Sequence, residues 1–434
     1  MLRKVIILLI CLIFSVQTTY AIVENKNTDT DTDTDTNLTL NANSITLSKT
    51  IELGILNNPT LKIARAKLGI SDAQILQAGL IPNPSIISDN GFAEDTFRVG
   101  IEQTIELGNK RSKRVKLARI QKEVVVQELV ATTLDVRANV RTSYIQVYNS
   151  QQKLLTAQEI LETTSKLANI AKLREEAGDI AKLDVLQAEI KMISAKNDIQ
   201  NAKLELNKAF NSLSANIGQN LNRDIVLAPP DLLKEFNSAL EMPAEENEEV
   251  LNTLIEKAYS TRPEILAIQK NIEAQNQRLK VARANIVPDL TVSAGADIVT
   301  GEEKRTSAFV IGSIDVPVFN HQQGVIKEIK AQKEIYEKEL DAQKIIVAQE
   351  VKNAYSGIVA NAQSLKIYEN ELIPHSKDVV EKSELSFKEG KSNILVPLNS
   401  QDAYIKTKFG YIQTLNEYEK SVSDLERAIG VGHE

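Results

Sequence analysis

The residues best equipped for chemistry in this chain are few, and their spacing is wrong for it. The three histidines, His321, His375 and His433, stand far apart, and none belongs to the closely spaced ligand set from which a metal site is built. Each reads as a solvated or capping side chain. Met192 and Met242 are isolated, so they make no thioether relay for soft metals. The single cysteine, Cys11, lies within the N-terminal apolar run, which leaves the mature chain without a disulfide, a thiol nucleophile or a thiolate ligand. Asp29, Asp31, Asp33 and Asp35 alternate with threonines but lack the glycine turn and closing glutamate of a calcium loop. No Gly-rich phosphate loop, Ser/His/Asp set or pair of catalytic carboxylates stands out from the charged background. The expectation is a protein that is not an enzyme and uses no cofactor and no metal.

The organisation of the chain points elsewhere. Arg3 and Lys4, the apolar run Val5 to Phe14 and the small-x-small site Thr19-Tyr20-Ala21 predict a secretory signal over residues 1–21. Ile10, before Cys11, is not the small residue of a lipidation site. Residues 22–43, with their strict Thr-Asp alternation, cannot bury apolar surface and are expected to be a disordered leader. No later run of 18 apolar residues occurs, so any membrane crossing must be made by strands. The net charge of -7 comes from finely mixed acids and bases, with no basic patch for nucleic acid.

Residues 109–177 contain neither Gly nor Pro and are rich in good helix formers, which predicts one helix about 100 Å long at roughly 1.5 Å per residue. A second such run, 179–217, follows the Gly178-Asp179 turn directly, so two long helices double back on each other. The pattern then recurs. Pro59 and Pro84 match Pro263 and Pro288, while Val140, Tyr144 and Leu154 match Val351, Tyr355 and Leu365. Gly178, Leu183, Leu186, Leu213 and Gly218 match Gly390, Leu395, Leu398, Leu425 and Gly430. A tandem duplication follows, with a first repeat at 44–221, a linker at 222–250 containing Pro229, Pro230 and Pro243, and a second repeat at 251–432. The second copy has about eight extra residues, expected in a longer loop near Gly301 to Arg305.

Each copy also carries two candidate strands. Leu290, Val292, Ala294, Ala296 and Ile298 alternate with Thr291, Ser293, Gly295 and Asp297, one apolar face and one polar. The hairpins are expected over about 85–103, with strands Ser85 to Phe92 and Asp95 to Gln103, and over about 290–316, with the second strand Thr306 to Val316. Four strands cannot close a barrel, and an open edge is not tolerated in lipid. Two chains would supply the minimum of about eight strands and three would supply twelve.

With these elements in place, the chain resembles the TolC-like outer-membrane factor family from about Ser44 to Gly432. The resemblance is carried by the two Pro-terminated repeats, the Gln103-Thr104-Ile105-Glu106-Leu107-Gly108-Asn109-Lys110-Arg111 segment, the paired glycine turns and the closing Leu425-Glu426-Arg427-Ala428-Ile429-Gly430. Pro82-Asn83-Pro84 and the two segments just quoted look most like the cation-efflux, CzcC-like branch.

This resemblance implies a mainly α fold with a small transmembrane β part: a homotrimer with an α-barrel of long antiparallel hairpins and a twelve-stranded β-barrel in the outer membrane of a Gram-negative bacterium. It implies a passive exit duct of a tripartite efflux system, in contact with outer-membrane lipid. The partners implied are a periplasmic adaptor (membrane-fusion) protein and an inner-membrane pump such as an RND transporter, with heavy-metal cations as a candidate cargo. Type I protein secretion and a non-channel periplasmic coiled coil are the alternatives. In the family the helix-to-helix turns form the periplasmic tip and gate, which here map to Ala177-Gly178-Asp179-Ile180 and Glu389-Gly390-Lys391-Ser392. Leu183, Asp184, Leu186, Leu395 and Leu398 follow those turns, and Leu183 and Leu395 are expected to pack the tip as apolar knobs. Where many members carry gate aspartates in the second copy, this chain has Val396 and Asn399, leaving Asp184 as the only acid at the equivalent place in the first.

Overall fold

A computed structural model describes residues 44–90, 96–223, 225–229, 247–300 and 304–430; the expected signal and leader lie outside them, as do Met242 and His433. The chain opens with strand β1 (Ser44–Ile45) and two helices, α1 (Leu47–Asn57) and α2 (Pro59–Ala78). Pro59 occupies the first turn of α2, where its missing N–H would have no helical partner anyway. Asn58 caps that helix, its Oδ1 accepting from the amides of Thr60 at 2.8 Å and Leu61 at 3.2 Å. Strands β2 (Ser85–Asn90) and β3 (Thr96–Ile105) follow, then α3 (Lys110–Glu176) and α4 (Lys182–Ile217). Strand β4 (Val226–Leu227) closes this half.

The same succession then runs again: α5 (Glu248–Thr261), α6 (Pro263–Ala284), β5 (Leu290–Val299), β6 (Arg305–Ile314), α7 (Gln323–Ile367), α8 (Ile373–Lys388) and α9 (Leu395–Ile429). Pro263 begins α6 as Pro59 begins α2. Here the preceding residue is the buried Arg262, which bonds Glu264 and Glu350 instead of capping.

Each half has its own core. In the first, Leu61, Val140, Tyr144, Phe210, Leu213 and Ile217 pack together; in the second, Ile265, Val351, Tyr355, Leu425 and Ile429 do so. The matched tyrosines pin the ends of the inter-repeat segment. Tyr144 Oη stands 2.8 Å from the carbonyl oxygen of Ile45 and 2.7 Å from that of Ala228, and Tyr355 Oη accepts from the amide of Asn247 at 2.9 Å.

Three features depart from the sequence expectations. The segment read as a plain linker contains β4, which pairs in parallel with β1 (Ser44 with Val226, Ile45 with Leu227); two-residue strands are too short for any period to reveal. The extra residues of the second copy are not confined to the hairpin turn. β5 is longer than β2, and the link from β6 to α7, Asp315 to Gln322, is longer than the link from β3 to α3, Glu106 to Asn109. The strand expected to reach Val316 ends at Ile314, because Pro317 cannot donate to the ladder and Val316 and Val318 turn out to solvent.

The long helix of the second half is also interrupted. Tyr368–Leu372 forms a single π turn just before Pro374, whose ring removes one i→i−4 hydrogen bond. Its Tyr368 ring packs edge-on to Tyr411, centroids 6.3 Å apart, over the open space left by Gly410.

Candidate functional site

Two places on this frame could serve transport: the sheet at one end of the long helices, and the two helix turns at the other. The sheet has the order β2-β3-β5-β6, antiparallel throughout, so the hairpins of the two halves join edge to edge. Register gives the sheet one mainly apolar face and one that gathers its charged groups, with Phe309 and Ile311 among them. Phe97, Val99, Ile101 and Ile105 lie opposite Ile298, Ala296, Ala294 and Leu290 on one face, and Val310 and Ile86 extend that face to both sides. Its apolar groups are open: Ile86 is 79% exposed and Val310 77%. The other face carries Arg98 against Asp297, Glu102 against Ser293 and Thr104 against Thr291. Ten-residue strands at about 3.3 Å per residue suit a tilted crossing of a hydrocarbon layer about 30 Å thick. Among the described residues neither β2 nor β6 has a partner on its outer edge.

At the helical end, the two turns are built alike. Gly178 (φ 82°) and Gly390 (φ 74°) take the left-handed conformation that ends a helix without a Cβ penalty. In each turn the amide after the glycine returns to a carbonyl of the last helical turn, Asp179 to Arg174 and Lys391 to Ser386, both at 2.8 Å. Asp184 caps α4, its Oδ2 accepting from the amide of Ala181 at 3.3 Å. Asp179 lies 3.9 Å from Arg174, and Lys391 pairs with Glu389 at 2.6 Å.

Of the leucines the sequence pointed to at the tip, only Leu398 joins its apolar packing. Val185, Phe387 and Ile394 are buried there with Leu167, Ala171 and Leu398, whereas Leu183 is 64% exposed, Leu395 47% and Leu186 45%. The reason is helical phase. Lys182 and Leu395 start their helices, and the inward stripe of α4 falls on Val185 and Ala188 rather than on Leu183. Val396 and Asn399 are exposed, and Met192 is half-buried against this core.

Sequence reasoning missed Arg174. From the last turn of α3 it donates through Nη1 to the carbonyl of Phe387 at 2.7 Å, with its guanidinium over the Phe387 ring, so it fastens one hairpin to the other. Only its place in a last helical turn marked it, and that is shared by many bases. Lys191 with Asp402, Arg141 with Glu426 and Arg427 with Asp135 fasten the two halves further along. His375 Nδ1 lies 2.7 Å from the carbonyl of Glu371 and the His321 amide donates to Gln323; among the described residues no group of three or more His, Cys, Asp or Glu could hold a metal ion.

A sheet with one apolar and one polar face, carried on long paired helices, is the build of a channel that crosses a membrane by strands. The family described as outer membrane efflux protein matches residues 50–219 and 254–431, and the chain belongs to it. It is 24% identical over 389 residues to the cobalt-zinc-cadmium resistance protein CzcC of Cupriavidus metallidurans, covering 89% of this chain and 90% of that one. The fold is that of the outer-membrane channel OprN (TM-score 0.71, 18% identity, 89% of this chain and 90% of that one). It is likewise that of the outer membrane protein VceC of Vibrio cholerae (TM-score 0.71, 16% identity, 89% and 97%).

Proposed function

We propose that three copies of this chain assemble in the outer membrane as the exit duct of an efflux system, with most of each chain in the periplasm. The observation that carries this reading is the sheet. Its apolar face needs lipid, its polar face needs water, and its two edges need partners, because unpaired backbone groups in hydrocarbon cost several kcal/mol each. Closing four strands into twelve meets all three needs and leaves an aqueous lumen. Residues 1–21 would direct export and 22–43 precede the folded repeats as a leader.

The helix turns form the periplasmic tip in this reading. Gly178, Asp179, Asp184, Gly390 and Lys391 shape the turns, while the exposed Leu183, Leu186 and Leu395, beside the buried Leu398, present apolar surface to neighbouring copies and to a periplasmic adaptor linked to an inner-membrane pump. Divalent metal cations are the cargo we place first, on the likeness to the cobalt-zinc-cadmium resistance protein. Single-channel conductance of detergent-purified protein in planar bilayers, read with its oligomeric mass, tests the duct. Discrete pores from a trimer are the expected result, and a soluble, non-conducting species would overturn it. Deletion followed by metal-sensitivity assays tests the cargo.

A further inference from the structure

At the foot of the sheet the fine mixing of acids and bases breaks down. Ile105, Leu290 and Ile314 end the sheet in one row. Helix α3 begins five residues beyond that row and α6 ends six residues short of it. From 110 to 122 the chain carries seven bases and no acid, and from 274 to 288 three bases and no acid. Some of these bases have a counter-charge within the protein: Lys110 is buried against Asp289 at 2.7 Å, Arg114 pairs with Glu106, and Lys122 pairs with Asp72 of α2. Arg111, Lys116 and Arg119 of α3 and Lys280 and Arg283 of α6 are exposed and make no ion pair among the described residues. The nearest acids on their side, Glu123 and Glu273, lie farther from the sheet and share Lys270.

The hand of the fold sets which way the unpaired bases turn. The Val99 carbonyl points at β5, since a Cβ on Gly295 would collide with it, so the residues on the apolar face of β3 direct their backbone groups to β5. For L-residues on a strand running toward the helices, this places β5 and α6 clockwise of β3 and α3, seen from the far end of the sheet with the apolar face outward. Helix α3 packs on α2 through Val115, beside Gly79, and Lys122, and on α6 through the Lys113 carbonyl, which accepts from Gln277 at 3.1 Å. Its right-handed winding of about 100° per residue turns Lys116 and Arg119 to the side of the apolar face, and the paired Lys110 and Arg114 to the side of the polar one. A second observation marks the same level. Ile81, Leu107, Val287 and Val318 are exposed around the foot of the sheet, and Phe319 is 92% exposed. The surface therefore passes from apolar strands through an apolar rim to unpaired bases, the order of hydrocarbon and phosphate in a lipid leaflet.

We propose that Arg111, Lys116, Arg119, Lys280 and Arg283 form a basic collar that binds the headgroups of anionic phospholipids in the inner leaflet of the outer membrane and so fixes the depth of the duct. This rests on the duct reading and names the lipid class that holds it. The three bases of α3 lie within about 14 Å of its start at roughly 1.5 Å per residue, and Lys and Arg carry their charge outward on long apolar stems. The guanidinium forks suit phosphate oxygens. On the polar side Asp289 and Glu106 already neutralise the bases, so a lipid phosphate is needed only on the outer side.

The test reconstitutes full-length trimers in vesicles of phosphatidylethanolamine with a minor share of phosphatidylglycerol, and counts by native mass spectrometry the lipids that stay on the trimer after extraction into detergent. Wild type is expected to retain phosphatidylglycerol in excess of its share, and to lose that excess as salt is raised. Lys116→Gln combined with Arg119→Gln should lose most of the excess. Lys196→Gln combined with Lys203→Gln, at exposed bases on α4, should keep it. Conducting wild-type trimers that hold the two lipids in vesicle proportion, a collar variant that keeps the excess, or equal loss in both pairs would overturn the collar while leaving the duct intact. A wild-type protein that neither inserts nor conducts would instead remove the duct reading on which the collar stands.

Discussion

Arg174 and Phe387 join the two helix turns: the guanidinium donates to the Phe387 carbonyl at 2.7 Å and lies 4.8 Å from the centre of its ring. The contact runs from the last turn of α3 to the last turn of α8, so neither hairpin can swing away from the other without breaking it. Charge-assisted hydrogen bonds contribute about 1.5–3 kcal/mol and a cation over an aromatic face about 0.5–1 kcal/mol. Arg174→Ala should therefore loosen the tip by about 2 kcal/mol and raise single-channel conductance. Lys at this position would keep the charge but lose the planar stacking, and should give an intermediate value. Conductance of the alanine variant equal to wild type would show that the contact does not hold the tip.

Val185 and Leu183 sit two positions apart on α4 and should respond very differently to a charge. Val185 is wholly buried and Leu183 mostly exposed. Val185→Asp puts an unpaired carboxylate among Phe387, Ile394 and Leu398 and should cost more than about 3 kcal/mol, read as a large fall in thermal midpoint. Leu183→Asp should leave the fold intact and act, if at all, on contacts with neighbouring copies or an adaptor. Equal destabilisation by both would contradict the helical phase seen here.

How far the sequence led is clear from such pairs. The fold class was legible because it depends on long regular signals: the absence of Gly and Pro through α3, and the strict alternation of β5. The matched residues Val140 and Val351, Tyr144 and Tyr355, and Leu213 and Leu425 all prove to be core positions in equivalent places. At the tip the glycines could be read because a left-handed residue leaves a compositional mark. The packing residues could not. Near a helix start a shift of one position rotates a side chain by about 100°, and repeat matching supplies no phase. Arg174 and the Arg98–Asp297 pair depend on partners some two hundred residues away, which a single chain read locally does not disclose.

Tyr144 and Tyr355 occupy matched core sites but do unequal work. The Tyr144 hydroxyl serves two carbonyls, on the segments that carry β1 and β4, and burial pushes its ionisation well above the ordinary tyrosine range. Tyr355 accepts a single amide hydrogen bond. Tyr144→Phe should strip the Ala228 carbonyl of this donor, while the Ile45 carbonyl keeps the Ala228 amide, and cost about 1–3 kcal/mol, loosening Ser44–Ile45 from Val226–Leu227. Tyr355→Phe should cost about 1 kcal/mol. Hydrogen exchange at Ala228, whose amide bonds Ile45 at 3.1 Å, reads the first effect directly: exchange should accelerate in Tyr144→Phe and stay slow in Tyr355→Phe.

Glu419 makes stability fall as pH rises. It lies 2% exposed on α9, and its Oε2 has no hydrogen-bond partner. Burial pushes its carboxyl from 4.5 up to about 7, with Arg141 of α3 opposing the shift and Glu426 of its own helix reinforcing it. A carboxyl whose folded value is raised is held neutral by the fold. Its stabilising effect is complete below pH 4.5, where the unfolded chain is protonated too, and is lost progressively as pH rises toward 7. The loss is roughly 3 kcal/mol if the whole shift acts on folding. Asp424 on the same helix is raised by burial as well and adds to the slope. Glu419→Gln keeps the shape and cannot ionise, so it should leave stability nearly unchanged near pH 4.5 and increase it at pH about 8, leaving the Asp424 contribution and the opposite one of carboxyls that are lowered, such as Glu162 and Asp289. Denaturant unfolding of wild type and variant at those two pH values checks this. A wild-type protein as stable at the higher pH as at the lower would mean that Glu419 ionises in place, compensated by Arg141.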